Sequence, residues 1–232
     1  MATWKSLIEK HTDIIDTTAT SGLDTLDIML ADATNTCIDA VPQDILYKYA
    51  QEPLSVTAAG VDVSNRKIIM VQLRGKPCHQ REFYQKTDFE DSSSIKYATK
   101  KTPVYYIKNL GDPNTGGDQS TSTLFVFPDS NLEIGDGLVW TFPYLTTLSA
   151  TSDVTTGGDL GIPPQLYDWI IIETALRVLN WKMAQMIYVE EDAELTAMVT
   201  GQINNLSRIS EERKVRFVIK NPVDRRIQGG AD

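Results

Sequence analysis

Cys78 and His79 stand side by side, and such a pair holds zinc or couples a thiol nucleophile to a base when further partners of the same kind are near. The chain has 232 residues but two cysteines and two histidines. No second Cys/His pair therefore stands at zinc spacing, and a closed four-ligand site is not supported. His11 falls in a stretch of helical spacing and reads as a core or surface residue. The segment Asp112, Asn114, Gly116, Asp118 faintly follows a calcium loop, but its glycine and ligand positions are off. Thr123 stands where the terminal glutamate belongs, so the segment reads as a turn. Adjacent carboxylates, Glu190 with Glu191 and Glu211 with Glu212, point different ways from a helix and do not converge on a substrate. There is no G-x-S-x-G elbow, no phosphate-binding G-x-x-x-x-G-K-[ST] loop and no G-x-G-x-x-G behind a strand. Gly135-Asp136-Gly137 reads as hairpin-turn chemistry, which needs positive φ. These residues imply no catalytic group, no metal and no cofactor. An aromatic strand, Val139 to Tyr144, offers rings that stack a sugar or a base, although alternate side chains of a strand face opposite ways and part of it must be core.

The elements that would position such groups are organised around residues 162–214. Pro163-Pro164 suits a helix start, because proline lacks the N–H that a first turn leaves unused. Trp169, Ile172, Leu176, Leu179, Met183 and Met186 then recur in steps of three and four, one apolar helical seam. Ile170, Ile171, Ala175, Val178, Trp181 and Val189 lie off that stripe, so the helix is apolar around much of its circumference. It is a core helix, a subunit interface, or both. A second run, Leu195, Val199, Ile203, Leu206 and Ile209, follows the acidic cluster Glu190, Glu191, Asp192 and Glu194. Carboxylates suit the positive end of a helix. A break at the cluster and an unbroken helix through it both remain open.

The N-terminal part, residues 1–50, reads as helices. Trp4, Leu7, Ile8, His11, Ile14 and Ile15 have helical spacing behind Thr3 as N-cap. A second helix is expected from Thr25 to Asp39, with Gly22 as punctuation before it, and a short turn around Ile45, Leu46 and Tyr49. Residues 51–160 form a β-rich insertion. Its strands are expected at Lys67–Leu73, Val104–Ile107, Thr123–Phe127 and Leu138–Leu145, with a short helix within Gln80–Tyr97 and a hairpin tip at Gly111–Asp118. Thr146–Gly161 reads as a Thr/Ser/Gly linker. Residues 161–212 form long C-terminal helices that pack with the N-terminal ones, and 213–232 a basic arm, with a short strand at Phe217–Ile219. The fold class is α+β: a helical bundle from the two chain ends with an inserted antiparallel β domain.

A net charge of −9 argues against general binding to nucleic acid or an anionic membrane. No apolar run approaches the roughly 20 residues that span a bilayer, and Met1 to Lys10 does not read as a signal peptide. Cys37 and Cys78 could pair, but reduced thiols made in a cytoplasm are the default.

The order of the pieces carries a resemblance. A tryptophan near the start of a helical N-terminus leads to "RGKP…REFY" (Arg74 to Tyr84), "TPVYYI" (Thr102 to Ile107), "LFVFP" (Leu124 to Pro128) and "LVWTFPYL" (Leu138 to Leu145). "IPPQLYDWIIIETAL" (Ile162 to Leu176) and the acidic "EEDAEL" (Glu190 to Leu195) follow. From about Trp4 to Lys214 this order resembles the head-to-tail adaptor, or neck ring, proteins of short-tailed bacteriophages. The resemblance implies a virion structural protein, made in the host cytoplasm, that forms a homo-oligomeric, twelvefold ring joining portal to tail or to further neck proteins. The Trp169 to Met186 seam would be the subunit interface. Arg213, Lys214, Arg216, Lys220, Arg225 and Arg226 would form a portal-facing arm, and DNA would pass through the channel without specific binding. The rival reading is a non-catalytic binding module that recognises a carbohydrate or peptide through Trp140 to Tyr144.

Overall fold

A computed structural model describes residues 2–13, 20–50, 52–109, 122–128, 132–154, 161–189 and 193–219. It divides into a helical unit, Met1–Pro42 with Leu145–Asp232, and a β unit, Gln43–Tyr144. The fold is α+β, with the helical unit built from both chain ends and the β unit inserted between them.

In the helical unit, α1 (Trp4–Thr12) begins where expected: the Thr3 hydroxyl accepts from the Ser6 N–H at 3.2 Å, filling one of the orphan donors of a first turn. α2 runs over Thr20–Ala40. It starts earlier than the expected Thr25 and carries Gly22 inside its first turn, where a glycine costs less than in a helix interior. Pro42 ends it by disfavouring helical geometry at the residue before it. α5 (Tyr167–Val189) and α6 (Ala193–Ile219) follow a 3-10 turn over Pro164–Leu166. Residues 190–192 of the acidic cluster lie outside the described residues.

α6 does not prolong α5. Trp169 near the start of α5 meets Ser210 and Phe217 near the end of α6, and Thr200 lies against Met183. The two helices are therefore antiparallel neighbours. An unbroken helix is excluded, because one continuing straight would place Ser210 some 60 Å from Trp169 at roughly 1.5 Å per residue. α6 also continues through Phe217 to Ile219, which replaces the expected short strand there. Those three apolar residues extend a helix already under way, and Phe217 stacks on the Trp169 ring at 5.7 Å.

The expected linker is instead packed chain over its described part. Its carbonyls at Ala150 and Ser152 accept from the first N–H groups of α1, Lys5 at 2.7 Å and Trp4 at 3.3 Å. Asp27 of α2 accepts from the Ala150 N–H at 2.7 Å, and the Asn35 amide makes both bonds to the Leu145 backbone. Leu148 and Ala150 are buried. A composition rich in Ser and Thr reads as flexible, yet here its backbone caps α1. Residues 155–160 lie outside the described residues.

The β unit opens with α3 (Gln43–Tyr47) and, among the described residues, holds two four-stranded sheets. Its strands are β1 (Leu54–Val56), β2 (Val61–Asp62), β3 (Arg66–Leu73), β4 (Lys76–Pro77), β5 (His79–Gln80), β6 (Val104–Asn109), β7 (Ser122–Phe127) and β8 (Gly137–Pro143). The first sheet has the order β1-β8-β3-β4 and the second β2-β7-β6-β5, antiparallel throughout except for the parallel β5–β6 pair. The turn before β8 is thus not a hairpin, since β7 and β8 lie in different sheets. Period-two alternation shows that a strand has a buried face but not which strand it pairs with.

Val56, Val71, Leu73 and Val139 from the first sheet meet Leu124 and Val126 from the second in one cluster. The opposite face of the second sheet carries Val104 and Tyr106 of β6 with Phe125 and Phe127 of β7. These are covered by Phe89 of α4 (Lys86–Glu90) and by Ala98. The second sheet is therefore apolar on both faces, which explains the dense "VYYI" and "LFVF" runs. Gly60, at φ +85, lets β2 approach β7: a Cβ there would lie 2.5 Å from Thr123 Cγ2.

Candidate functional site

The predicted seam runs along α5, and most of it faces the chain itself. Trp169, Ile172 and Leu179 are buried, Leu176 and Met183 are half-buried, and the Met186 side chain lies outside the described residues. Ile170, Ile171, Ala175 and Val178 are buried too. α1, α2 and α6 all pack on α5, so its apolar circumference is that of a central helix. Trp181 alone of the off-stripe large residues described is exposed, at 42%.

A polar cluster that the apolar spacing concealed sits in this seam. The Trp169 indole N–H donates to Ser210 Oγ at 2.9 Å and lies 3.3 Å from Glu173 Oε1, while the Ser210 hydroxyl donates to the same carboxylate. The available signal was Ser210 itself, one turn beyond Leu206 on the inward side of α6, where an apolar residue would be expected.

Of the predicted basic arm, Arg213, Lys214 and Arg216 lie on α6. Arg213 reaches Asp168 at 3.9 Å and Lys214 reaches Glu211 at 3.8 Å. Lys220, Arg225 and Arg226 lie outside the described residues.

The C-terminal end of α1 is fixed by side chains from the two long helices. Lys182 Nζ donates to the Thr12 carbonyl at 2.6 Å, and the Gln202 amide to the His11 carbonyl. These satisfy carbonyls that a helix end leaves open. Beside them lies a cleft of about 360 Å³ between α1, α5 and α6. Leu7, Ile171, Ile172, Leu206 and Ile209 line it, and Lys10, His11 and Arg213 stand at its edge with Asp168. Among the described residues it is an apolar hole with two basic side chains, Lys10 and Arg213, and one acidic side chain, Asp168, at its edge.

In the β unit, His79 is exposed in an open cleft of about 550 Å³ shared with Arg81, Lys96 and Tyr97. Burial pushes the neighbouring Cys78 thiol up to about 12, so it is protonated at neutral pH and is a poor nucleophile or ligand there. Cys37 is buried in α2, and its thiol is raised further by burial and then by Glu173. Both cysteines are free. Among the described residues no group of three His, Cys, Asp or Glu could hold a metal ion. The Asp112–Asp118 loop lies outside them. No described helix is long and apolar enough to cross a membrane.

The aromatic strand is largely committed to its own unit. Phe142 is 1% exposed, and Trp140 is half-buried with its ring 5.8 Å from Tyr47 of α3. The Tyr144 N–H donates to the Asn65 carbonyl at 2.8 Å. The turn before the strand is pinned by Arg74, whose guanidinium donates to Asp136 Oδ2 at 2.9 and 3.0 Å.

No protein-family model, curated protein or solved structure matches the chain.

Proposed function

We propose that this chain is a non-enzymatic virion structural protein, a ring-forming adaptor between the portal and the tail of a tailed phage. The observation that carries the reading is the layout of the helical unit. Both chain ends fold around α5, and the β unit is inserted between them, in the order of pieces that the neck-ring resemblance implies. The outer side of the helical unit then supplies surface for neighbours: Met198 is 64% exposed and Trp181 42%. In this reading α5 is the spine of each subunit rather than the contact between subunits, and the basic end of α6 points the arm toward the portal. A net charge of −9 suits a channel wall that lets DNA pass, since like charge keeps phosphates from adhering.

The test is the native mass of the full chain across a concentration series, with imaging of any large species. A discrete cyclic particle supports the reading. A chain that stays monomeric up to its highest soluble concentration overturns self-assembly. Trp140 to Tyr144 as a ligand platform has less support, because Phe142 is inside the β unit and Trp140 already packs on Tyr47.

A further inference from the structure

α6 presents two different surfaces. Its inward side carries Val199, Leu206 and Ser210, all buried. Its outward side carries Glu194, Met198, Gly201 and Asn205, spaced four, three and four apart and all exposed. That spacing places them on one face. Met198 projects from it, 64% exposed. Gly201 sits in the interior of a 27-residue helix, where glycine is unfavourable relative to alanine. Nothing among the described residues requires it, since a Cβ there would meet no heavy atom of theirs within 4 Å. A glycine that is costly locally and that no described residue crowds is explained when another backbone comes close.

The same unit holds a hole of complementary character, the cleft of about 360 Å³ between α1, α5 and α6. Its wall is isoleucine and leucine, which suits a flexible apolar knob such as methionine. Among the described residues its edge carries Lys10, His11 and Arg213 with Asp168, and Arg213 pairs with Asp168 at 3.9 Å, which leaves Lys10 beside His11 to suit an acidic neighbour. Among the described residues no ion pair involves Lys10 or His11. Knob and hole are displaced along α6, from Met198 to the Leu206–Arg213 stretch, so one copy cannot fill its own cleft with its own Met198 while α6 remains straight.

We propose that the cleft receives the outward face of α6 from a second copy of this chain, with Met198 seated among the isoleucines, Gly201 at the closest approach, and Glu194 facing Lys10 and His11. Two different patches on each copy make the contact heterologous, the kind that propagates head to tail and closes into a ring when its rotation allows. This contact rests on the ring reading and gives it a location distinct from the α5 seam.

The test uses the full chain in sedimentation velocity over a concentration series, with Met198→Asp, Gly201→Leu, Glu194→Lys, Lys10→Glu and the Glu194→Lys/Lys10→Glu combination. All of these positions are exposed, and circular dichroism and the unfolding midpoint check that each variant folds. Met198→Asp and Gly201→Leu should raise the concentration needed for assembly about tenfold or more, as removal of a central contact does. Each charge reversal should raise it by roughly twofold to fivefold, the scale of an exposed pair, and the combination should recover most of that loss. Wild-type assembly that Met198→Asp leaves unchanged overturns the contact while the ring reading stands. Failure of the combination to recover overturns the pairing of Glu194 with Lys10 and hence the docking direction. Absence of any wild-type assembly overturns both readings together.

Discussion

The indole N–H of Trp169 donates to the hydroxyl of Ser210 at 2.9 Å, joining the first turns of α5 to the far end of α6. Ser210 is 4% and Trp169 2% exposed, so the bond sits where water does not compete. The hydroxyl passes its own proton toward Glu173, one turn along from Trp169, and donor, relay and acceptor satisfy one another. Apolar stripes alone allow two helices to slide by a turn at modest cost. A buried donor that finds its acceptor at one offset selects that offset.

Ser210→Ala should therefore cost about 1–2 kcal/mol, the loss expected when a buried donor keeps only a longer contact. Urea unfolding followed by tryptophan fluorescence reads this directly. The slope of the transition should be unchanged, because the area exposed on unfolding is the same. A variant as stable as wild type would show that the Glu173 contact alone satisfies the indole.

Asp136 ties the turn before β8 to the β3–β4 turn and predicts a pH effect. The Arg74 side chain and then the Glu133 N–H hold its carboxyl below the usual carboxylate range. The folded value lies below the unfolded one, so the contribution is complete above the ordinary value of about 3.9 and disappears as pH falls through the folded value. The gap in unfolding midpoint between wild type and Asp136→Asn should be constant near neutral pH and close in acid. A gap that persists unchanged into strong acid would assign the effect to the backbone turn rather than to the charge.

What the sequence showed of this fold follows from what local periodicity can carry. The helical seam at Trp169–Leu179 and the strands at Lys67–Leu73 and Thr123–Phe127 were legible because each buries a face against its neighbours, and burial imposes a period. Pairing was not legible. Leu124 and Val139 read as consecutive strands of one hairpin, yet they belong to opposite sheets and meet only in the core between them. Nor was it visible that Ser149–Asp153 would serve as a backbone cap for α1, because that role uses carbonyls, which every residue has. Ser210 was hidden by the reverse effect: a lone hydroxyl in an apolar stripe looks like noise until Trp169 is placed opposite it.

Phe89 tests the claim that the second sheet is buried on both faces. It is 1% exposed and packs on Tyr106 and Phe127 at ring distances of 5.6 and 5.7 Å. Phe89→Ala should destabilise the β unit by about 3–5 kcal/mol through lost contacts and a residual cavity. The helical unit has its own core, so hydrogen exchange should localise the added opening to β6 and β7. Equal loss of protection in α5 would mean that the two units unfold as one.

The cysteines provide a probe of both units in a single experiment. Cys78 is half-buried, and burial pushes its thiol up to about 12. At pH 8 its thiolate, the reacting form, is then a small fraction, on the order of one part in 10⁴. Cys37 is fully buried, and burial followed by the nearby Glu173 charge raises it further. A thiol reagent at pH 8 should thus label Cys78 slowly and leave Cys37 unreacted until the helical unit opens. Raising the pH should accelerate Cys78 in proportion to hydroxide, about tenfold per unit, because the thiolate fraction grows that way well below the pKa. In urea, Cys37 labelling should follow the tryptophan fluorescence transition of a Trp140→Phe variant, since its remaining tryptophans, Trp4, Trp169 and Trp181, sit with Cys37 in the helical unit. Rapid labelling of Cys37 in the absence of denaturant would place it in a part of α2 that opens locally, and would contradict its position in that unit's core.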